Sequence, residues 1–142
     1  MLCEDFKPEG EIFDNFLMNT VIPYVENNFP VCTDRQNVAV CGSSSGGLMS
    51  FFSAFEHPEK FGYAGVFSPA FLCYTREDWE KYLSTKIVEN MPYLYIYTGN
   101  GDELEEMIFE STEMLYELLE ESFYPYDRIN EVILFENAHN EK

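Results

Sequence analysis

The run Gly42-Ser43-Ser44-Ser45-Gly46 sets one serine two residues from a glycine on either side. The spacing Gly-x-Ser-x-Gly is met with Ser44 at the centre. It suits a strand that turns sharply into a helix, holding the serine on a strained backbone with its oxygen exposed. The flanking glycines would let the two arms pass without Cβ clashes. A serine presented this way is a nucleophile for acyl transfer. The backbone N–H of Ser45 would then face the oxyanion formed on attack and supply half of its hole, with the helix N-terminus adding positive potential. The bland alternative is a Gly/Ser-rich turn without chemistry. A phosphate-binding loop fits poorly, because no Gly-Lys-Ser/Thr follows and the chain is acidic.

Such a serine needs a base, and the base needs a carboxylate to orient it. One chain order for this set is Ser, acid, His, with both partners in loops at the C-terminal ends of later strands. The chain has two histidines, His57 and His139. His139 follows the last strand-like stretch, where a base belongs. His57, in Glu56-His57-Pro58-Glu59, ends a helix-like stretch and suits a C-terminal cap or a solvent contact. Between Ser44 and His139, Gly99-Asn100-Gly101-Asp102-Glu103 offers Asp102 first, then Glu103 and Glu105. Asp102 follows a tight turn, as a side chain reaching out from a strand end would. It is also placed to N-cap a helix beginning near Glu103.

The elements that must position these residues alternate. Residues 1–10 read as polar and loose. Ile12, Phe13, Phe16, Leu17, Val21 and Ile22 approximate a helical stripe from Ile12 to Asn27, with a kink or a restarted helix expected at Pro23. Val38–Cys41 is a short β-branched apolar run, expected as a buried parallel strand in which Cys41 is a small buried hydrophobe. Helices are expected over Leu48–Glu56 and residues 76–90. A long acidic helix is expected over residues 103–122, with Leu104, Met107, Ile108, Met114, Leu115, Leu118 and Leu119 inward. Strands are expected over Phe61–Phe67, Tyr93–Tyr97 and Glu131–Phe135. The order α-β-α-β-α-β-α-β predicts an α/β fold, with a mostly parallel sheet of about four strands covered by helices on both faces, as one domain over residues 1–142. Aromatic Phe71, Tyr74, Trp79 and Tyr82 would form either a lid or a core.

Composition narrows the partners. The net charge is -18, from 26 acids against 8 bases. Such a surface repels phosphate backbones and anionic lipids, so neither nucleic acid nor membrane partners are expected. The N-terminus lacks a basic region and an apolar core of signal-peptide type, and no apolar run reaches membrane-spanning length. A reducing cytoplasm is the default, and a secreted form would follow if a leader had been lost. The cysteines Cys3, Cys32, Cys41 and Cys73 are widely and irregularly spaced without a CxxC pair, so no metal site is expected. No cofactor is implied.

Four stretches in order carry a resemblance: 37–47 around Ser44, 57–70 from His57 to Ala70, 95–102 ending in Asp102, and 136–141 around His139. Together they resemble the putative-esterase family of α/β-hydrolases, which includes feruloyl esterases, enterochelin esterases, S-formylglutathione hydrolase and mycolyltransferases. The resemblance implies a serine esterase in which Ser44 attacks, His139 shuttles the proton, Asp102 orients it, Ser45 donates to the oxyanion, and Ser68-Pro69-Ala70 lines the site. Ser45 stands where the family usually has Met, a mild departure because only the N–H is used. The family also implies strands before the nucleophile and chain beyond the histidine. On that basis the chain is expected to be a C-terminal portion lacking N-terminal strands and the second oxyanion donor. Two functional readings follow. One is an esterase acting on a small-molecule carboxylic ester or thioester. The other is an inactive fragment that serves as an interaction module, with an exposed sheet edge open to homo-oligomerisation.

Overall fold

The computed structural model describes residues 6–86, 90–134, 138 and 139, with side chains described from residue 10 and to residue 133 of the last strand. Helix α1 (Phe6–Phe16) runs through a widened π segment (Leu17–Val21) into α2 (Ile22–Asn28). There follow β1 (Ala39–Ser43), α3 (Ser45–Glu56), β2 (Tyr63–Phe67), α4 (Arg76–Lys86), β3 (Tyr93–Gly99), α5 (Glu103–Glu121) and β4 (Ile129–Leu134). The order along the chain is the order in the sheet, β1-β2-β3-β4, and every pairing is parallel. Parallel neighbours need crossovers, and α3, α4 and α5 provide them.

The N-terminal helix restarts at Ile22 with Pro23 in its first turn, one of the two outcomes expected there. Residues 6–10, expected to be loose, are helical. The strain falls one turn before the proline. The N–H of Ile22 donates to Leu17 five residues back, so the turn widens and the Pro23 ring clears the carbonyl behind it. Along this stripe Ile12, Phe13 and Phe16 are exposed, whereas Leu17 and Ile22 pack against the core.

The core lies on one side of the sheet. Ala64, Val66, Leu94, Ile96 and Thr98 point there and are 1% exposed or less. Leu48, Phe51 and Phe55 of α3, Trp79 and Leu83 of α4, and Leu115 and Leu119 of α5 close over them. Phe71 and Trp79 are fully buried, with the Trp79 indole N–H donating to the Phe71 carbonyl at 3.3 Å, so this aromatic group is core and not lid. Tyr74 and Tyr82 pack edge-on against the same indole and Phe52.

The other side of the sheet departs from the expectation of helices on both faces. Tyr63 is 46% exposed and Tyr95 38%. Ala39, Cys41 and Ser43 of β1 are exposed on that side too. Cys41 is therefore not the buried hydrophobe its apolar neighbours suggested: it is exposed, on a strand that among the described residues pairs with β2 alone.

Several boundaries also shift. Helix α3 starts at Ser45, three residues early, because the turn at Ser44 leads straight into it. Strand β2 starts at Tyr63 rather than Phe61, and β4 starts at Ile129 rather than Glu131. Expected continuations at residues 87–89 and at Phe135 fall outside the described residues, as does Cys3.

Candidate active site

The C-terminal ends of the four parallel strands form one rim, the usual position for chemistry in an open α/β sheet. Ser44 follows β1 directly and precedes α3. Its backbone has φ 58° and ψ -119°, a region that L residues other than glycine rarely enter. The surroundings hold it there. Its N–H donates to Phe67 at 2.9 Å, and its carbonyl accepts from Leu48 and from Ala70, each at 3.1 Å. The segment Ser68-Pro69-Ala70, expected to line the site, thus braces the turn. Ser68 also has positive φ (37°), and its N–H donates to Tyr97 at 2.7 Å.

The glycines divide the work differently from the expectation. A Cβ on Gly42 would sit 2.5 Å from the backbone carbon and oxygen of Gly46, so Gly42 must be bare. A Cβ on Gly46 would meet nothing within 4 Å. The second tight position is Gly47, whose Cβ would lie 2.8 Å from the Phe67 carbonyl oxygen.

The base end is built from side chains. The N–H of His139 donates to Asp102 Oδ2 at 2.8 Å, while Asp102 Oδ1 accepts from the N–H of Glu105 at 2.8 Å. Asp102 is the N-cap of α5 and a clamp on the histidine backbone. Those two backbone donors, Glu105 first and then His139, hold its carboxyl below the usual carboxylate range. The ring of His139 meets a different acid: Nδ1 lies 2.5 Å from Glu105 Oε1. Glu105 is 1% exposed, and its other oxygen accepts from the Gly99 N–H at 2.9 Å. The expectation put Asp102 first as the acid facing the imidazole, with Glu103 and Glu105 behind it, and the carboxylate found beside the ring is that of Glu105. The substitution has a simple cause. Asp102 is taken up by two backbone donors, whereas the longer Glu105, one turn into α5, reaches back under the histidine.

Glu105 had a sequence signal that went unused. Positions 105, 108, 112, 115 and 119 follow steps of three and four, the inward stripe of α5, and all five are buried. An acid inside such a stripe calls for a partner. The expected inward set instead included Leu104 and Met107, which are 45% and 49% exposed.

The structure brings Asp102, Glu105 and His139 together and holds Ser44 on the same rim. Among the described residues no hydrogen bond joins the Ser44 hydroxyl to the His139 ring. His57 lies elsewhere. Its backbone N–H closes α3 on Ser53, and its Nε2 sits 2.7 Å from Asp14 Oδ2, whose other oxygen accepts from Ser53. That contact ties α1 to α3. Among the described residues no group of three or more His, Cys, Asp or Glu could hold a metal ion, and no helix is long and apolar enough to cross a membrane.

Comparison with known proteins gives these geometries a family. Residues 4–123 match the family model described as "Putative esterase". The chain belongs to this esterase family. The matched span contains Ser44, Asp102 and Glu105, and His139 lies beyond it. An endo-1,4-beta-xylanase/feruloyl esterase of Xylanibacter ruminicola is 32% identical over 107 residues, covering 75% of this chain and 13% of that protein. The uncharacterized protein YbbA of Bacillus subtilis is 24% identical, covering 88% and 51%. Among solved structures, the enterobactin esterase of Shigella flexneri superposes with a TM-score of 0.76 at 20% identity, covering 91% of this chain and 33% of that one. The ferulic acid esterase of Anaeromyces mucronatus gives 0.66 at 19%, covering 91% and 48%. These superpositions establish the α/β-hydrolase fold. This member of the esterase family spans about half or less of the length of these relatives.

Proposed function

We propose that this chain carries the nucleophile and base of a serine esterase acting on a carboxylic ester or thioester. Ser44 Oγ adds to the carbonyl carbon while its proton passes to Nε2 of His139. Glu105, beside Nδ1, sets the tautomer and stabilises the imidazolium. The oxyanion accepts from the Ser45 N–H at the start of α3. The tetrahedral intermediate collapses, and the leaving alkoxide or thiolate takes the proton from His139. Water, deprotonated by the same ring, then releases the acid and frees Ser44.

The observation that carries this reading is the backbone of Ser44. A serine held at φ 58° between a parallel strand and a helix, with three backbone hydrogen bonds maintaining the strain, is costly as a mere turn. Similar structures titled enterobactin esterase and ferulic acid esterase are consistent with ester cleavage as the class of reaction.

The test is covalent labelling of the purified chain with a fluorophosphonate, beside Ser44→Ala and His139→Ala. Labelling of the parent that is lost in both variants is the expected result. A folded parent that does not label would overturn the proposal in favour of the second reading, an interaction module. That alternative has its own support: among the described residues β1 pairs on one side only, and Tyr63 and Tyr95 are exposed on the other face of the sheet. A strand from another copy or another chain could add to that edge.

A further inference from the structure

Two serines at the rim have positive φ, Ser44 at 58° and Ser68 at 37°. They are neighbours. The register of β1 and β2 ends at Ser43 opposite Phe67, so its next step sets Ser44 beside Ser68. The backbone pattern repeats as well. The Ser44 N–H donates to the Phe67 carbonyl at 2.9 Å, and the Ser68 N–H donates to the Tyr97 carbonyl, one strand further on, at 2.7 Å. In the order β1-β2-β3-β4, Ser68 therefore stands between the nucleophile and the strands that lead to Asp102, Glu105 and His139. Parallel strands lie about 4.8 Å apart, so a small molecule held between Ser44 and the His139 ring lies over the end of β2. Two costs are met at Ser68. Its backbone is strained where glycine would adopt φ 37° freely. Its side chain is shut in: the residue is 8% exposed, and among the described residues its hydroxyl has no hydrogen-bond partner. An enclosed hydroxyl without a partner is unfavourable, and it calls for a polar molecule that meets it during the reaction.

We propose that Ser68 positions the water that cleaves the acyl-enzyme. The inference rests on the esterase reading above and adds a residue to its second step. A water between acyl-Ser44 and His139 has two O–H bonds to direct. One donates to Nε2 of His139, which takes that proton as the oxygen bonds to the acyl carbon. The other donates to Ser68 Oγ, which has acceptor lone pairs and keeps its own proton. With both hydrogens turned away, a lone pair of the water faces the carbonyl carbon. The tetrahedral intermediate then expels Ser44 Oγ, which recovers the proton from His139, and the free acid leaves. In the first step the nucleophile is Ser44 itself and no water is needed. Ser68 is thus a positioning residue whose loss divides the two half-reactions.

The parent chain, Ser68→Ala and Ser68→Gly are each mixed with phenyl acetate and quenched over time. Intact-mass spectrometry follows the acetylated chain, and peptide mapping assigns the acetyl group to Ser44. Its formation and its loss are timed separately. Both variants remove the hydroxyl, but only glycine also relieves the backbone. Loss of the acetyl group is expected to slow by about tenfold in both, the scale of one hydrogen bond, while formation changes by less than about twofold. Unchanged loss in both variants would overturn the inference. So would formation slowed as much as loss, which would place Ser68 in the support of the nucleophile turn. Slowing in the alanine variant alone would trace the effect to backbone strain and overturn it too. A parent that is acetylated but never releases the group also overturns it, because no water is then positioned. In all four cases Ser44 is acylated, so the esterase nucleophile stands. A folded parent that never becomes acetylated at Ser44 would sink the esterase reading itself, and the role of Ser68 with it.

Discussion

The two ends of the candidate site are built from different materials. At the end of β1, Ser44 is positioned by backbone alone: three main-chain hydrogen bonds, a bare Gly42, and a close approach at Gly47. At the ends of β3 and β4, His139 is positioned by carboxylates, with Asp102 on its N–H and Glu105 on its ring. A backbone site tolerates no added atom but is indifferent to charge. A carboxylate site tolerates changes of shape better than changes of charge or length. The contrast can be broken or sharpened by substitutions at each end.

The largest effect is expected from Glu105→Gln. An amide can accept at one atom only, and its NH₂ set against Nδ1 would favour the wrong imidazole tautomer. Loss of labelling rate and of kcat/KM on the order of 10³–10⁴ is expected, the scale seen when a triad carboxylate becomes an amide. Asp102→Asn keeps one acceptor and sets its NH₂ against the other backbone N–H, that of Glu105 or of His139, but leaves the contact between Glu105 and the ring in place, so the rate should fall by only about tenfold. Comparable losses in the two variants would show that Asp102 acts on the ring after all. Thermal melts of both chains separate this from unfolding. Asp102→Ala, which removes the cap, should cost about 1 kcal/mol of stability.

At the other end the expected effects have opposite signs. Gly42→Ala forces a methyl to within 2.5 Å of the Gly46 backbone, which cannot move without moving the turn. A loss of about 3 kcal/mol in denaturant unfolding, with no fluorophosphonate labelling, is expected. Gly46→Ala meets open space within α3 and should stabilise by about 0.5 kcal/mol, since alanine is the better helix former. If both alanines destabilise equally, the division of labour between the two motif glycines is wrong.

Legibility in the sequence follows the same division. Gly-x-Ser-x-Gly after an apolar run announces its own backbone geometry, because local sterics determine it, and the four strands and their order were readable from periodicity for the same reason. Glu105 was not chosen, because its role depends on where the chain returns more than 30 residues later, and nearest-neighbour reasoning favoured Asp102 after its turn. Cys41 was misplaced for a related reason. An apolar run shows that a strand can be buried on both sides but not whether both sides are covered, and Tyr63 and Tyr95 suit either a buried or an open face. The stripe of α1 shows the same limit: Ile12, Phe13 and Phe16 have helical spacing and lie on a helix, yet spacing alone cannot say what the stripe rests on.

The smallest effect concerns charge, where only the base end should respond. Glu131 lies on β4, the strand that leads toward His139, with Oε1 buried and without a partner among the described residues. Burial, reinforced by the neighbouring Glu113 carboxylate, pushes its carboxyl up to about 7. The facing β3 positions, Leu94, Ile96 and Thr98, bring no charge. The folded state therefore holds a proton that the unfolded chain releases near the ordinary glutamate range. Stability should be greatest below that range and decline as pH rises through about 7. Glu131→Gln removes the titration, so it should raise stability by about 1 kcal/mol at pH 8 and leave it nearly unchanged at pH 4. Melting curves of parent and variant at the two pH values make the comparison. If the variant gains nothing at pH 8, Glu131 is relieved by contacts other than those described, and the base end is less dependent on charge than its geometry implies.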